Sequence, residues 1–381
     1  MQRPLAWLVG ATFLHFTSFY YLFATLPFYV LDLGGSTFQV GLIIGVFSVS
    51  SLAARPLFGA WMDRTGRRPF LLVGAAIYAV ASLGYLVIRT VTGLLLWRVV
   101  HAMGLATFST AAASLAGDLA PPQRRGTTMG FYGLAQAGAL SVGPAAGGAI
   151  HHALGYRGLF VCTALTALSA LVCATRIPEG PLAEKARRGS AGRAKGVLVL
   201  WPVIPPAALQ FSASIAYGAL ISFIAVVARD RGLDVVGTYF ALLAASSLGV
   251  RLVAGRAYDA WGPPAVLAPA LLLLATGMGL LANAAHAGLF VGTAILAGTG
   301  IGATQTALLA RVVERSPSEG RGRAVAVFTS CWELGVGGGT MVMGRLAEGL
   351  GFSGMFAAAA VMPLVGLAAL LFLHKGRLEK S

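Results

Sequence analysis

The chain has 381 residues, 57% of them hydrophobic and only 11% charged, with 50 glycines and a net charge of +15. A soluble fold would need about twice that charged fraction, so the composition points to an all-α membrane protein with many crossings. The basic excess is spread between apolar stretches, which argues against a nucleic-acid surface and for topology with some attraction to anionic lipid.

Apolar runs of roughly 20 residues, each able to cross a hydrocarbon core about 30 Å thick, fall at about 5–30, 38–60, 70–88, 92–118, 126–150, 156–176, 200–228, 235–258, 264–284, 288–314, 322–347 and 353–374. Twelve transmembrane helices are therefore expected. The first run has only Arg3 ahead of it and is too long for the apolar core of a signal peptide, so it reads as a retained helix. It holds His15 among Phe13, Phe16, Phe19, Tyr20, Tyr21 and Phe23. Most of these rings should meet lipid or neighbouring helices, while His15, Phe16 and Tyr20 are candidates to line a pocket for a flat or amphipathic ligand.

Between the second and third spans lies GAWMDRTGRR, from Gly59 to Arg68. A charge in hydrocarbon costs about 2.5 to 3.5 kcal/mol even on the mildest scale, so this stretch is expected to form a tight hairpin at a membrane surface. Its glycines permit the turn and close helix approach, and Asp63 is placed to accept from helix-terminal amides or an arginine.

In the fourth span Arg98 lies some six residues, roughly 10 Å, from the outer boundary, with His101 on the same face. Arg98 at that depth faces a wet cavity or an acid, or else snorkels outward; His101 is either a site residue or an interhelical donor. The fifth span contains the Gly143-Pro144 step, which removes a helix hydrogen bond and makes either a bendable outer half or a packing kink. Gln136, Gln210 and Gln305 are isolated polar groups in the fifth, seventh and tenth spans, each a cavity group or a link between helices.

Glu333, eleven residues into the eleventh span, is the acid placed nearest the centre of any predicted helix. Protonated it costs little; ionised it needs Arg98, a histidine or a cationic substrate. That suits a carrier of one proton per cycle, against the alternative of a neutral structural acid bonded across helices. Cys162, Cys173 and Cys331 lie in apolar helices without metal-ligand spacing, so packing rather than a metal site is expected of them.

Of the 28 lysines and arginines, all but Arg89, Arg157, Arg229, Arg231, Arg345 and the intraspan Arg98 fall on the inside if the N-terminus is cytoplasmic. The positive-inside rule then places both termini in the cytoplasm.

Shifted by 196 positions, the chain matches itself. Gly41 meets Gly237, Ser50, Ser51 and Leu52 meet Ser246, Ser247 and Leu248, Arg55 meets Arg251, Gly59 meets Gly255, Asp63 meets Asp259 and Gly66 meets Gly262. The same shift carries Asp118 onto Glu314 and Arg125-Gly126 onto Arg321-Gly322. Two pseudo-symmetric bundles of six helices in parallel repeat follow, 1–176 and 200–381, joined by a charged cytoplasmic linker at 177–199.

GAWMDRTGRR resembles the loop signature G-x-x-x-D-R-x-G-R-R of the major facilitator superfamily, and GRAYDAWGPP resembles its degenerate second copy. Arg98-Val-Val-His101-Ala-Met-Gly104 is similar to the R-x-x-Q-G-x-G element, with His101 for Gln and Ala102 for Gly. Gly143-Pro144-Ala-Ala-Gly147-Gly148 matches the G-P-x-x-G-G element associated with drug:proton antiporters, although Ala139 stands where that element often has another glycine.

The resemblance implies a gating network of Gly59, Asp63, Arg64, Gly66, Arg67, Arg68 and Asp118, with Asp259 and Glu314 as a weaker copy; a static cap on helix ends is the alternative. It also implies alternating access about a site near the midplane. The first span carries no acid, unlike some of those antiporters, so the coupling role falls on Glu333 with Arg98 and His101.

The sequence as a whole reads as a proton-coupled exporter of a small amphipathic molecule in the inner or plasma membrane. It is expected to be monomeric, to need no cofactor beyond a proton gradient, and not to be an enzyme, since no nucleophile and base are clustered. An uptake permease, an uncoupled facilitator, an exporter of a metal-chelating metabolite or sugar, and a receptor or scaffold on a transporter fold are the alternatives.

Overall fold

Every element in the structure, a computed structural model that describes residues 3–23, 25–120, 125–178, 203–316 and 321–378, is an α-helix. In chain order they are α1 (Arg3–Tyr21), α2 (Leu26–Asp32), α3 (Thr37–Thr65), α4 (Arg67–Gly84), α5 (Val91–Leu119), α6 (Arg125–Thr175), α7 (Ile204–Asp230), α8 (Val236–Trp261), α9 (Pro263–Ala282), α10 (Ala287–Arg315) and α11 (Arg321–Leu378).

Two local differences from expectation have local causes. The first predicted span is two helices, because Pro27 has no N–H to bond back to Phe23 and α1 stops before it. The charged stretch at 59–68 is not a loop: α3 continues to Thr65, and the reversal is made by Gly66 alone at φ 102°. Gly59 therefore lies inside α3, with open space where a side chain would go, so it serves no close helix approach.

Nine helices among the described residues are long and apolar enough to cross a membrane. Two of these stretches, 128–175 and 327–372, have 48 and 46 residues, more than twice the roughly 20 that one crossing needs. Each is divided by a glycine outside helical geometry: Gly155 at φ 65°, ψ −169° and Gly351 at φ 67°, ψ 176°. Those backbone angles are closed to residues with a Cβ.

The described chain falls into two compact units, one of Met1–Tyr29 and Val46–Gly196, the other of Val30–Gly45 and Val197–Ser381. The division between Gly196 and Val197 lies in the predicted linker, whose residues 179–199 are outside the described set. The start of α3 belongs to the second unit, where it meets α11 backbone to backbone: a Cβ on Gly45 would come 2.6 Å from the Gly337 carbonyl oxygen.

Repeat register persists in three dimensions. Gly66 and Gly262, and Gly155 and Gly351, are pairs of positive-φ glycines 196 positions apart. Gly104 packs against the backbone of Tyr78, and Gly300 packs against that of Leu274 in the same way. The core of the first unit gathers Leu8, Phe70, Leu71, Phe108 and Leu115, and that of the second gathers Val266, Leu267, Leu308, Val312 and Phe328.

Candidate functional site

In the first unit, α5 is anchored at its start by Thr90, whose hydroxyl accepts from the Gly93 amide at 3.1 Å. Arg98 follows about two turns later, on the face turned into the bundle, and is only 3% exposed. It does not snorkel. Its guanidinium carbon lies 3.9 Å from the centre of the Phe47 ring, and Nη1 donates to the Tyr85 hydroxyl at 3.3 Å.

His101, one helical turn on, is fully buried in the same cluster. The Tyr85 hydroxyl lies 2.7 Å from its Nδ1 and the Ser82 hydroxyl 3.4 Å from its Nε2. Because the one hydrogen of the Ser82 hydroxyl goes to the Tyr78 carbonyl, the Ser82 oxygen accepts from His101 Nε2–H, and the chain of bonds has a direction. Arg98 donates to Tyr85, Tyr85 to His101 Nδ1, His101 Nε2–H to Ser82, and Ser82 to the Tyr78 carbonyl at 2.9 Å. Arg98 Nη1 also approaches His101 Nδ1 at 3.5 Å, which agrees with Nδ1 as the acceptor.

His15 joins the cluster from α1, stacked on Phe108 at 3.8 Å and tilted against Tyr78 at 4.5 Å between centroids. Both of its ring nitrogens are buried without a hydrogen-bond partner among the described residues, as is Nε of Arg98. Such groups are costly to leave unsatisfied. Phe16 and Tyr20 lie in the adjoining aromatic group, where Phe19 stacks on Phe47 at 5.3 Å.

His15, Arg98 and His101 are therefore brought together with Tyr78, Ser82, Tyr85 and Phe47, none of which was singled out in the sequence. The signal was present: Tyr78 and Ser82 of α4 and Tyr85, which caps it, recur at helical spacing. No Asp or Glu forms an ion pair with Arg98 among the described residues.

The remaining polar candidates stand in different settings. Gln136 on α6 is half-buried within hydrogen-bonding reach of Tyr132, which donates to the Ser109 carbonyl at 3.3 Å. Gln305 on α10 accepts from Arg251 on α8. Gln210 on α7 is fully buried, and neither of its amide atoms has a partner among the described residues.

Gln210 and His15 occupy matching places. Gly143 closes on Tyr20 of α1, whereas Gly339, 196 positions later, closes on Ile215 of α7. The register between α1 and α7 is thus 195, which makes Gln210 the counterpart of His15. Glu333, in the second unit, lies thirteenth in α11 and is half-buried.

Where α4 begins and α5 ends, Arg67 forms an ion pair with Asp118 and donates to the Ser114 carbonyl at 2.9 Å. Arg68 donates to the Thr175 carbonyl at the end of α6. The side chains of Asp63 and Arg64 lie outside the described residues. In the second unit Glu314 accepts from Tyr258 at 2.7 Å and from Arg311 at 2.9 Å, while Asp259 is exposed and outside this network.

Of the Gly143-Pro144 element, two glycines are contact points between α6 and α1. A Cβ on Gly143 would come 2.3 Å from the Tyr20 Cβ, and one on Gly147 2.3 Å from the Tyr21 carbonyl oxygen, while Gly148 has open space beside it.

The sequence matches the family described as Major Facilitator Superfamily over residues 8–263 and 206–381. An uncharacterised MFS-type transporter of Methanocaldococcus jannaschii is 23% identical over 88% of this chain and 89% of its own length. Another from Salmonella typhimurium is 26% identical over 94% of this chain and 93% of its own. Among solved structures, an inward-facing, occupied bacterial homologue of the human lysosomal transporter Spinster superposes with a TM-score of 0.82 at 19% identity, covering 97% of this chain and 96% of that one.

Proposed function

The chain belongs to the Major Facilitator Superfamily and is a membrane transporter rather than an enzyme, and from that premise we propose that it exports a small amphipathic molecule in exchange for protons. In this reading it crosses the inner or plasma membrane twelve times as a monomer, with both termini cytoplasmic, and works by alternating access as a member of the drug:proton antiporter branch.

One observation carries the proposal: Glu333 is half-buried within the apolar stretch 327–372, six residues from its start. An ionisable group in such surroundings is expensive to keep charged. Its proton therefore has to be taken up and given back as its surroundings change, and that links proton movement to the turnover of the carrier. Arg98 and His101 serve substrate and coupling in the first unit; His15, Phe16, Tyr20, Gln136, Gln210 and Gln305 line the path; Arg67 and Asp118 act in the gate. Close packing of Gly143 and Gly147 on α1 supports the antiporter assignment, because it seats the Gly-Pro step against a neighbouring helix.

The test is reconstitution into vesicles with an imposed proton gradient. Flux of an amphipathic dye should follow the gradient in the native protein and lose that dependence in Glu333→Gln. Undiminished gradient-driven flux in the variant would refute the coupling role.

A further inference from the structure

We infer that Arg98 recognises the acid group of an anionic amphipathic substrate, a molecule with one carboxylate beside a flat apolar body. This deepens the transport reading above and rests on it for the claim that the ligand is carried across the membrane.

The first ground is charge. Arg98 is 3% exposed and has no ion pair with an acid among the described residues; what compensates it is the Phe47 ring, the Tyr85 hydroxyl at 3.3 Å and the neutral His101 ring at 3.5 Å, none of them an anion. Taking an ion out of water costs several kcal/mol unless a partner repays it.

The second ground is that the fold does not need this cation. Register places Leu274, Met278, Leu281, Ala294 and Ala297 in the second unit where the first has Tyr78, Ser82, Tyr85, Arg98 and His101. The helix pair still packs there in the same way, Gly300 on Leu274 as Gly104 on Tyr78. An apolar set thus holds the same helices together, and the charged set has to be explained by something other than packing.

The third ground is geometry. Nη1 of Arg98 is committed to Tyr85, but Nε is buried with no partner among the described residues. The edge bearing Nε is the one that a carboxylate meets side-on with two parallel bonds. Phe47 lies over the guanidinium, 3.9 Å from its carbon, so it meets the face of the group and makes no hydrogen bond to that edge. Phe47 also stacks on Phe19, so an apolar wall begins where the cation ends. A carboxylate therefore binds at the edge with its ring system against the aromatic group, and a cationic ligand is repelled from the same place.

The experiment uses the purified full chain in lipid nanodiscs and three probes with one ring system: 1-naphthoate, 1-naphthamide and 1-naphthylmethylammonium, titrated calorimetrically. The native protein should bind the acid about tenfold or more tightly than the amide, and the cation least. In Arg98→Gln the acid should lose its advantage, while Arg98→Lys, a point charge without the fork, should keep part of it. Size-exclusion profiles and melting curves report whether each variant is folded.

A native protein that binds the acid no better than the amide, including one that binds neither, overturns the inference whatever the variants do. So does a folded Arg98→Gln protein that keeps the full preference. Gradient-driven dye export without any acid preference would sink this inference and leave the export reading intact. An Arg98-dependent acid preference without gradient-driven flux would do the reverse.

Discussion

Gly147 and Gly148 are neighbours in sequence and opposites in structure, so they separate helix contact from helix propensity. Alanine at either position relieves the entropic cost of a glycine in a helix, worth about 1 kcal/mol. At Gly148 nothing lies within 4 Å of the new methyl. At Gly147 it would fall 2.3 Å from the Tyr21 carbonyl oxygen and 2.6 Å from the Tyr21 Cα, both backbone atoms of the chain leaving α1. Backbone cannot step aside as a flexible side chain can, so α1 and α6 must separate, at an overpacking cost of about 1–3 kcal/mol.

The propensity gain is common to both variants, and the difference between them isolates the contact. At roughly 2–4 °C per kcal/mol for a large domain, Gly147→Ala should melt roughly 2–12 °C below Gly148→Ala. Intrinsic fluorescence of the detergent-solubilised protein, heated at one fixed rate, measures that gap. If the two variants melt together, α1 and α6 do not meet as described, and the seating of the Gly-Pro element on α1 falls with them.

The glycines that divide α6 and α11 give a second expectation. Alanine at Gly155 or Gly351 must adopt backbone angles that only glycine reaches freely, and each variant should lose about 1–3 kcal/mol, seen as a lower melting temperature than Gly148→Ala. A third concerns the Arg67–Asp118 pair, which is partly exposed at 32% and 21%. Asp118→Asn should therefore cost less than about 1 kcal/mol in stability while cutting vesicle transport severalfold if the pair works in a gate. Full transport with unchanged melting would reduce it to a static cap.

Much of the architecture was legible in the chain itself. Apolar runs long enough to cross a bilayer depend on composition alone, and the backbone must form helices wherever water is missing to satisfy it. The repeat was legible because glycines and charges at helix junctions answer to local rules. Gly66 and Gly262 match for that reason, and so do Gly155 and Gly351, whose shared backbone angles extend the register beyond the identities themselves. The resemblance set Asp118 and Arg67 in one network, and in the structure both sit at helix ends and form an ion pair.

Tertiary packing decided the rest. Sequence placed Arg98 and His101 on one face of α5, but the rotation of that helix about its axis is set by Gly104 closing on Tyr78. That contact turns the guanidinium inward onto Phe47 and the Tyr85 hydroxyl at the end of α4, and brings Ser82 of α4 to His101. The correspondence of His15 with Gln210 was hidden by a one-residue change of register that only the seating of Gly143 and Gly339 reveals. Gly147 and Gly148 could not be told apart by sequence either. Periodicity says which residues share a face of a helix, whereas the neighbour that face meets is fixed by how closely two backbones approach, and that is a property of the packed bundle.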